Sequence, residues 1–515
     1  MPKAAFVFPA ASGHTNPSLP LARALVERGW DVDYLHSPQF QEAIEDTGAT
    51  FVDRDLAFKE LGIDDYTAMV KATLTEYGAA APWALNFGSI AAQRLLPAYV
   101  RWLQSRGPDL VVYCPVLSQV AHFASVKLAI PDVSLLTAAG PGFFDAAIAS
   151  TPGAPSSDAL IAAIKGSEPN LKAVEALKAE MGMPELTLNT ETGLPLICDY
   201  YAATNLVTTT PELADPVSKR DEEYYSKVGK EFVYVGPLLD VAGAKRAGGM
   251  LHAGGSEADS SPPDTEVLMA RVAEATTAAR MIVYVSLGTV VTSDDESHGW
   301  TATSGSAITG RQLCQAVYRA VFEALGPDSP HNGVASPLIV VSQGHALATL
   351  PVFCPFCMPC VHSPRRAGPQ PAAFEGIDVP SNALSASSWP QVDLLRKARP
   401  ALFVTNGGQN SLMESAAVGT PVVVCPGFGD QVTNAAKVVA QGWGVAVDRP
   451  AALADGAGAE EEAAVVSSYQ AAVRRAVEEV LGGEYASKAK AVAAGLERAG
   501  GVEAAVRVLL EVANV

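Results

Sequence analysis

Short apolar runs without internal polar breaks recur along this chain, and each is followed by a stretch of helical periodicity. Ala4-Ala5-Phe6-Val7-Phe8 leads through a loop into a helical pattern over 19–28 that stops at Gly29, and 30–36, although broken by Asp31 and Asp33, reads as the next strand. Runs at 109–113 and 133–136 flank a helical pattern at 117–128, and runs at 205–209 and 232–237 complete a first series. A strand buried on both faces reads as such a continuous run, and its alternation with helices requires parallel strands joined by crossovers. A second series begins at 281–289 and continues at 337–341, 401–404 and 421–424. Single cores stop growing near ~250–300 residues, so the 515 residues divide. The expectation is an α/β protein of two doubly wound, Rossmann-like domains, 1–237 and 281–497, joined by a Gly-, Ala-, Ser- and Pro-rich linker over 238–280. Stretches near 293–310, 350–380 and 453–462 read as mobile insertions, and helical patterns over 465–481 and 485–512 end the chain.

The most informative stretch is Phe403-Val404-Thr405-Asn406-Gly407-Gly408-Gln409-Asn410-Ser411-Leu412-Met413-Glu414. An apolar run, a glycine pair and a helical pattern make a strand, a tight turn and a helix N-terminus, where backbone N–H groups and the positive dipole end attract phosphate. Asn410 and Ser411 fall on the first turn, and Glu414 lies on the same face one turn deeper. A carboxylate there suits paired sugar hydroxyls, such as those of a ribose. Asp430 and Gln431 follow the next run, beyond the carboxyl end of a strand where open α/β sheets bind ligands. An ordinary strand–Gly–helix connection with a solvated Glu414 is the plainer alternative.

The formal charge of −19 argues against a nucleic-acid partner, so an anionic ligand must be drawn by local helix ends. Seven cysteines, an odd number in no regular framework, fit a reducing compartment. With no uninterrupted apolar run of about 18 residues, the expectation is a cytoplasmic protein with no integral membrane segment. Cys354, Cys357, Cys360 and His362 have some of the spacing of a zinc site, but a one-residue spacer before His362 and two prolines disfavour tetrahedral closure.

The stretch 387–448 resembles the nucleotide-sugar site of inverting, UDP-sugar-dependent glycosyltransferases of natural products, macrolides and sterols. Their pattern, roughly W-x-P-Q, H-x-G-x-N-S-x-x-E, G-x-P and D/E-Q, is matched by Pro390-Gln391, Gly408, Asn410-Ser411, Glu414, Gly419, Pro421 and Asp430-Gln431. The resemblance implies the GT-B fold, two facing domains with acceptor bound by the first and donor by the second, and the last helix (within 498–515) crossing back to the first. It implies donor contacts from Thr289, Trp389, Gln391, Asn406, Gly407, Gly408, Asn410, Ser411, Glu414, Asp430 and Gln431. It also departs from the family in two places. Asn406 stands where a histidine usually touches the diphosphate, and Trp389 lies one residue later than the usual base-stacking tryptophan, at whose position Ser388 stands.

His14, in Ser12-Gly13-His14-Thr15-Asn16-Pro17, occupies the loop where the family carries its catalytic histidine, and a neutral imidazole can take a proton from an acceptor hydroxyl. The family orients that histidine with an aspartate, but the matching position here is Cys114, with Asp145 as a candidate substitute. The implied reaction is hexosyl transfer, glucose by the presence of Gln431, from a UDP-sugar to a small lipophilic hydroxyl compound, with no metal or cofactor. Trp83, Phe87 and Phe143 are candidate acceptor contacts, though aromatic residues at helical spacing are more often core. A nucleotide-sugar-binding protein of the same fold without turnover is the alternative.

Overall fold

The computed structural model describes residues 1–60, 89–150, 156–182, 197–243, 265–288, 291–292, 308–327, 336–346, 368–369, 373–451, 453 and 457–514. The chain forms two compact units: Met1–Gly243 with Ala499–Val515, and Ala244–Leu350 with Cys360–Arg498. The fold is GT-B, with a parallel doubly wound sheet in each unit.

In the first unit β1 (Lys3–Val7), β2 (Asp31–His36), β3 (Thr50–Asp53), β4 (Leu110–Tyr113), β5 (Asp132–Leu136), β6 (Thr204–Val207) and β7 (Glu231–Tyr234) lie in the order β3-β2-β1-β4-β5-β6-β7. The order reverses between β1 and β4, which pair from Ala4↔Leu110 to Val7↔Tyr113. Loops leaving the carboxyl ends of those two strands therefore diverge and open a crevice. Helices α1 (Ser12–Thr15) and α2 (Leu19–Glu27) follow β1, and α3 (Ile90–Arg106), α4 (Val120–Leu128) and α5 (Phe143–Ser150) follow further on. The central β1 and β4 have no polar residue after Lys3, because both faces are covered.

The second unit opens with α6 (Thr265–Thr277), inside the stretch read as linker. Its sheet, β12-β9-β8-β13-β14-β15, contains β8 (Ile282–Ser286), β9 (Leu338–Ser342), β12 (Ala383–Ala386), β13 (Leu402–Thr405), β14 (Val422–Val424) and β15 (Gly444–Ala446). A separate two-stranded piece pairs β10 (His345–Ala346) with β11 (Gly368–Pro369). The switch point lies between β8 and β13. Around the sheet run α7 (Gly310–Leu325), α8 (Gln391–Ala398), α9 (Gln409–Ala417), α10 (Asp430–Gln441), α11 (Ala459–Gly482) and α12 (Tyr485–Arg498).

All three of the expected mobile insertions end in ordered structure. Residues 373–380 hold to α7: Phe374 packs edge-on against Tyr318 with ring centres 5.4 Å apart, and Arg319 donates to the Gly376 carbonyl at 3.0 Å. Thr309 and Gln312 close a capping box at the start of α7, a device worth about 1 kcal/mol. Glu460, Glu461 and Glu462 belong to the first turn of α11, where carboxylates complement the helix dipole. The last helix, α13 (Gly501–Val512), is separated from α12 by Gly500 and Gly501, both at positive φ. Gly501 donates to the Val235 carbonyl, and Arg28, just past α2, donates to Glu503 at 2.7 Å, so α13 is part of the first unit. Among the described residues no helix is long and apolar enough to cross a membrane.

Candidate active site

The turn after β13 is shaped by its glycines. Gly407 has φ +84, and a Cβ there would come within 2.5 Å of Val424. Its N–H donates to Thr405 Oγ1 at 3.3 Å, and the Gly408 N–H to Asn406 Oδ1 at 3.4 Å. Both amides make long bonds inside the loop. The glycines set the turn, and with Gly408 as N-cap no side chain caps the first turn of α9. The orphan N–H groups of a helix start are what an anion seeks. Asn406 is buried, and a Cβ on Gly288, at the end of β8, would lie 2.7 Å from its amide nitrogen. Thr289 itself lies outside the described residues.

Along the same face Gln391, at the start of α8, donates through Nε2 to Ser411 Oγ at 3.0 Å and to Glu414 Oε2 at 2.6 Å. The sequence pattern placed Gln391, Ser411 and Glu414 in one site, and the fold brings them into contact. Loss of solvent pushes the Glu414 carboxyl up to about 7, against the pull of the Gln391 N–H. Asn410 flanks them, partly exposed, on the first turn of α9. On α10, Asp430 accepts from Asn434 at 3.3 Å, and Asn434 also donates to the Gly407 carbonyl at 3.0 Å. Asn434 was not anticipated, although its place one turn after Asp430 was the available signal. Gln431 is buried and its Oε1 accepts from the Gly427 N–H at 2.8 Å, which turns its amide nitrogen away from that loop.

Trp389 must be reassigned. It is 1% exposed, and its indole N–H donates to the Val341 carbonyl at 2.9 Å. A ring enclosed on both faces has none to offer a base, so it fastens the start of α8 to β9. Phe143 is likewise 3% exposed and packs edge-on against Phe144, which makes it core rather than acceptor surface. Trp83 and Phe87 lie outside the described residues, as does the Cys354, Cys357, Cys360 and His362 cluster.

In the first unit His14 sits on α1 at the crevice between β1 and β4. Its Nδ1 lies 3.0 Å from Thr137 Oγ1, beyond β5, and 3.4 Å from Cys114 Sγ, beyond β4. Among the described residues no ion pair includes His14, and Asp145 accepts from Ser157 instead. Desolvation lowers the His14 pKa to about 4, and the Cys114 thiol, pushed up to about 12 by burial, stays protonated. Thr137 is therefore the neutral partner standing where a carboxylate was sought. In the tautomer that carries its hydrogen on Nδ1, directed at Thr137, Nε2 is the basic nitrogen.

The family profile described as UDP-glucoronosyl and UDP-glucosyl transferase matches residues 378–463, from the approach to β12 into α11. Over that segment the chain is similar to the UDPGT family. UDP-glucuronosyltransferase 3A2 of Homo sapiens is 34% identical over 116 residues, 22% of this chain and 20% of that protein. NDP-glycosyltransferase YjiC of Bacillus subtilis (strain 168) is 31% identical over 176 residues, 33% of this chain and 40% of that protein. The chain thus matches between a fifth and two fifths of the length of these curated relatives, and the matched family segment contains the Gln391, Ser411, Glu414 and Asp430 constellation. Two solved structures share the fold: the glycotransferase of kitacinnamycin, with TM-score 0.59 and 20% identity over 99% of this chain and 100% of that one, and the calicheamicin glycosyltransferase CalG4, with TM-score 0.56 and 17% identity over 99% and 98%. The match lies within the second unit, and His14 of the first unit is read from its geometry.

Proposed function

We propose that this chain transfers a hexosyl group, glucose in the first instance, from a UDP-sugar to a hydroxyl of a small lipophilic acceptor with inversion at the anomeric carbon. The observation that carries the reading is the contact of Gln391, Ser411 and Glu414 beside the uncapped start of α9. In this scheme Glu414 accepts the two ribose hydroxyls, and the diphosphate lies on the first turn of α9. Asp430 and the Gln431 amide meet the sugar. His14 Nε2 takes the acceptor proton, the acceptor oxygen bonds the anomeric carbon, and the bond from that carbon to the diphosphate breaks to release UDP. Helix-end amides stabilise the departing charge, so the scheme uses no metal and no cofactor. The reading extends to a cytoplasmic location, in keeping with Cys114, Cys198, Cys314 and Cys425 as free buried thiols.

One solved relative by fold, the spinosyn rhamnosyltransferase SpnG, is complexed with thymidine diphosphate. Thymidine diphosphate lacks the 2′-hydroxyl, so a site built on Glu414 should favour UDP. Calorimetry with UDP, thymidine diphosphate and UDP-glucose tests this directly. Micromolar UDP binding, at least tenfold tighter than thymidine diphosphate and lost in Glu414→Ala, is the expected result. No UDP binding at millimolar concentration sinks the proposal. Among the described residues no carboxylate bonds His14, which favours a second reading, a protein that binds nucleotide sugar without turnover. His14→Ala separates the two, because an enzyme loses transfer while keeping UDP-glucose affinity.

A further inference from the structure

Beneath the nucleotide site lies a tyrosine that no ligand would touch. Tyr284, the middle residue of β8, is 1% exposed, and its ring stacks on Phe403 of β13 with centres 4.8 Å apart at 14°. Its hydroxyl donates to Gln391 Oε1 at 3.0 Å. Burial raises its pKa, so the phenol proton is present and is directed at Gln391.

An amide can face either way, and here its partners decide. Tyr284 supplies a hydrogen and needs an acceptor, while an ionised Glu414 only accepts. With Oε1 on Tyr284, the Nε2 hydrogens must face Ser411 and Glu414. Turning the amide over would set Oε1 against the carboxylate, which only a protonated Glu414 could tolerate by donating to it. Tyr284 thereby disfavours the protonated state of a group it does not contact.

We infer that Tyr284 is a positioning residue of the nucleotide site: by fixing the Gln391 amide it keeps Glu414 ionised and directed to accept ribose hydroxyls. This rests on the UDP-sugar reading given above. The groups facing Glu414 are few. From β8 comes Tyr284, from α8 the neutral Gln391 and from α9 itself the Ser411 hydroxyl, while among the described residues α10, α12 and β13 bring no charged or titratable group with an interaction on it. The Glu414 carboxyl, raised to about 7, is therefore set by burial and by this one amide.

The test is UDP-glucose affinity by calorimetry between pH 6 and 9, for the unmodified chain, Tyr284→Phe, Gln391→Ala and the double variant. Phenylalanine keeps the ring and its stack on Phe403, so the fold is retained. For the unmodified chain binding should tighten by about tenfold between pH 6 and 8 as Glu414 ionises. Tyr284→Phe should weaken binding at pH 7 by about three- to tenfold and move the midpoint upward. Added to Gln391→Ala, the same change should alter neither affinity nor midpoint, a non-additivity that a merely structural role for Tyr284 would not produce. Coincident profiles for Tyr284→Phe and the unmodified chain overturn the inference, as does an equal effect in both backgrounds. Absence of UDP-glucose binding by the unmodified chain overturns the nucleotide reading, and the inference falls with it.

Discussion

At the scale of single residues, His14 differs most from what its surroundings in sequence led one to expect. A base is most effective with a pKa near the working pH, and His14 is held at about 4 because nothing anionic offsets its burial. Cys114 Sγ lies 3.4 Å from Nδ1, which makes Cys114→Asp an informative substitution. An added carboxylate there should raise the imidazole pKa and stabilise the imidazolium formed as the acceptor proton arrives. The expected outcome is a kcat increase of about tenfold with an unchanged KM for the donor sugar, and an acid limb of the pH–rate profile moved upward. Thr137→Val should act in the opposite sense, lowering kcat by a similar factor, since Nδ1 then loses its hydroxyl partner. An unchanged rate in both variants would show that His14 is not the base. The sequence located His14 and foresaw the missing aspartate. It did not name Thr137, because which residue beyond β5 reaches Nδ1 depends on strand stagger and loop path, which no local pattern encodes.

At the scale of elements, the donor constellation is spread over four helices and strands and is held in register by buried polar bonds. Asn434, 2% exposed on α10, is the clamp that joins two of its parts: one amide spans the Gly407 carbonyl of the turn and the Asp430 carboxylate. Lys437 in turn donates to the Asn434 carbonyl oxygen at 3.0 Å. Removing a buried donor of this kind costs about 1–3 kcal/mol. Asn434→Ala should therefore weaken UDP-glucose binding by about ten- to a hundredfold, read by calorimetry, with a smaller loss for the asparagine-like Asn434→Asp only if its carboxylate is protonated. Equal affinity in Asn434→Ala would show that the turn and α10 hold their places independently. Strands β1, β4, β8, β13 and β14 were evident as apolar runs. The short β3, β12 and β15 were not, because Thr50, Asp53, Ser385 and Gly444 interrupt their hydrophobicity. Trp389 shows the converse: its motif position suggested a ligand contact, and packing between α8 and β9 took the ring into the core.

For the whole molecule, the two units should respond differently to acid. His14 and His36 of the first unit are lowered by burial to about 4 and about 3, below the unfolded value near ~6.5. Stability from keeping them neutral is complete above that unfolded value and is lost as pH falls through the folded values. His36 accepts the Ser37 N–H at Nδ1 and so donates from Nε2 to the Pro9 carbonyl, which pins the loop carrying His14. Asp33, raised by burial, offsets part of this. In the second unit Glu414 is raised instead, so its contribution is complete below the unfolded carboxyl range and is lost as pH rises through about 7. Hydrogen exchange at pH 7 and pH 5 should accordingly show protection falling in β1 and β2 but not in β8 and β13. A uniform loss across both units would contradict it.

By itself the sequence determined the α/β alternation, the division into two sheets and the grouping of Gln391, Ser411, Glu414 and Asp430. These follow from periodicity and spacing along a few consecutive elements, which are local properties of the chain. The tertiary structure decided which neighbours those residues meet. It engaged the Gly407 and Gly408 amides within their own loop, enclosed Trp389 and set Thr137 beside His14. It also placed the Tyr284 hydroxyl, 107 residues away in the chain, on the Gln391 amide. Side-chain direction, burial and the resulting protonation states depend on which strands pair and on what packs over them, and that information exists only once the chain has folded.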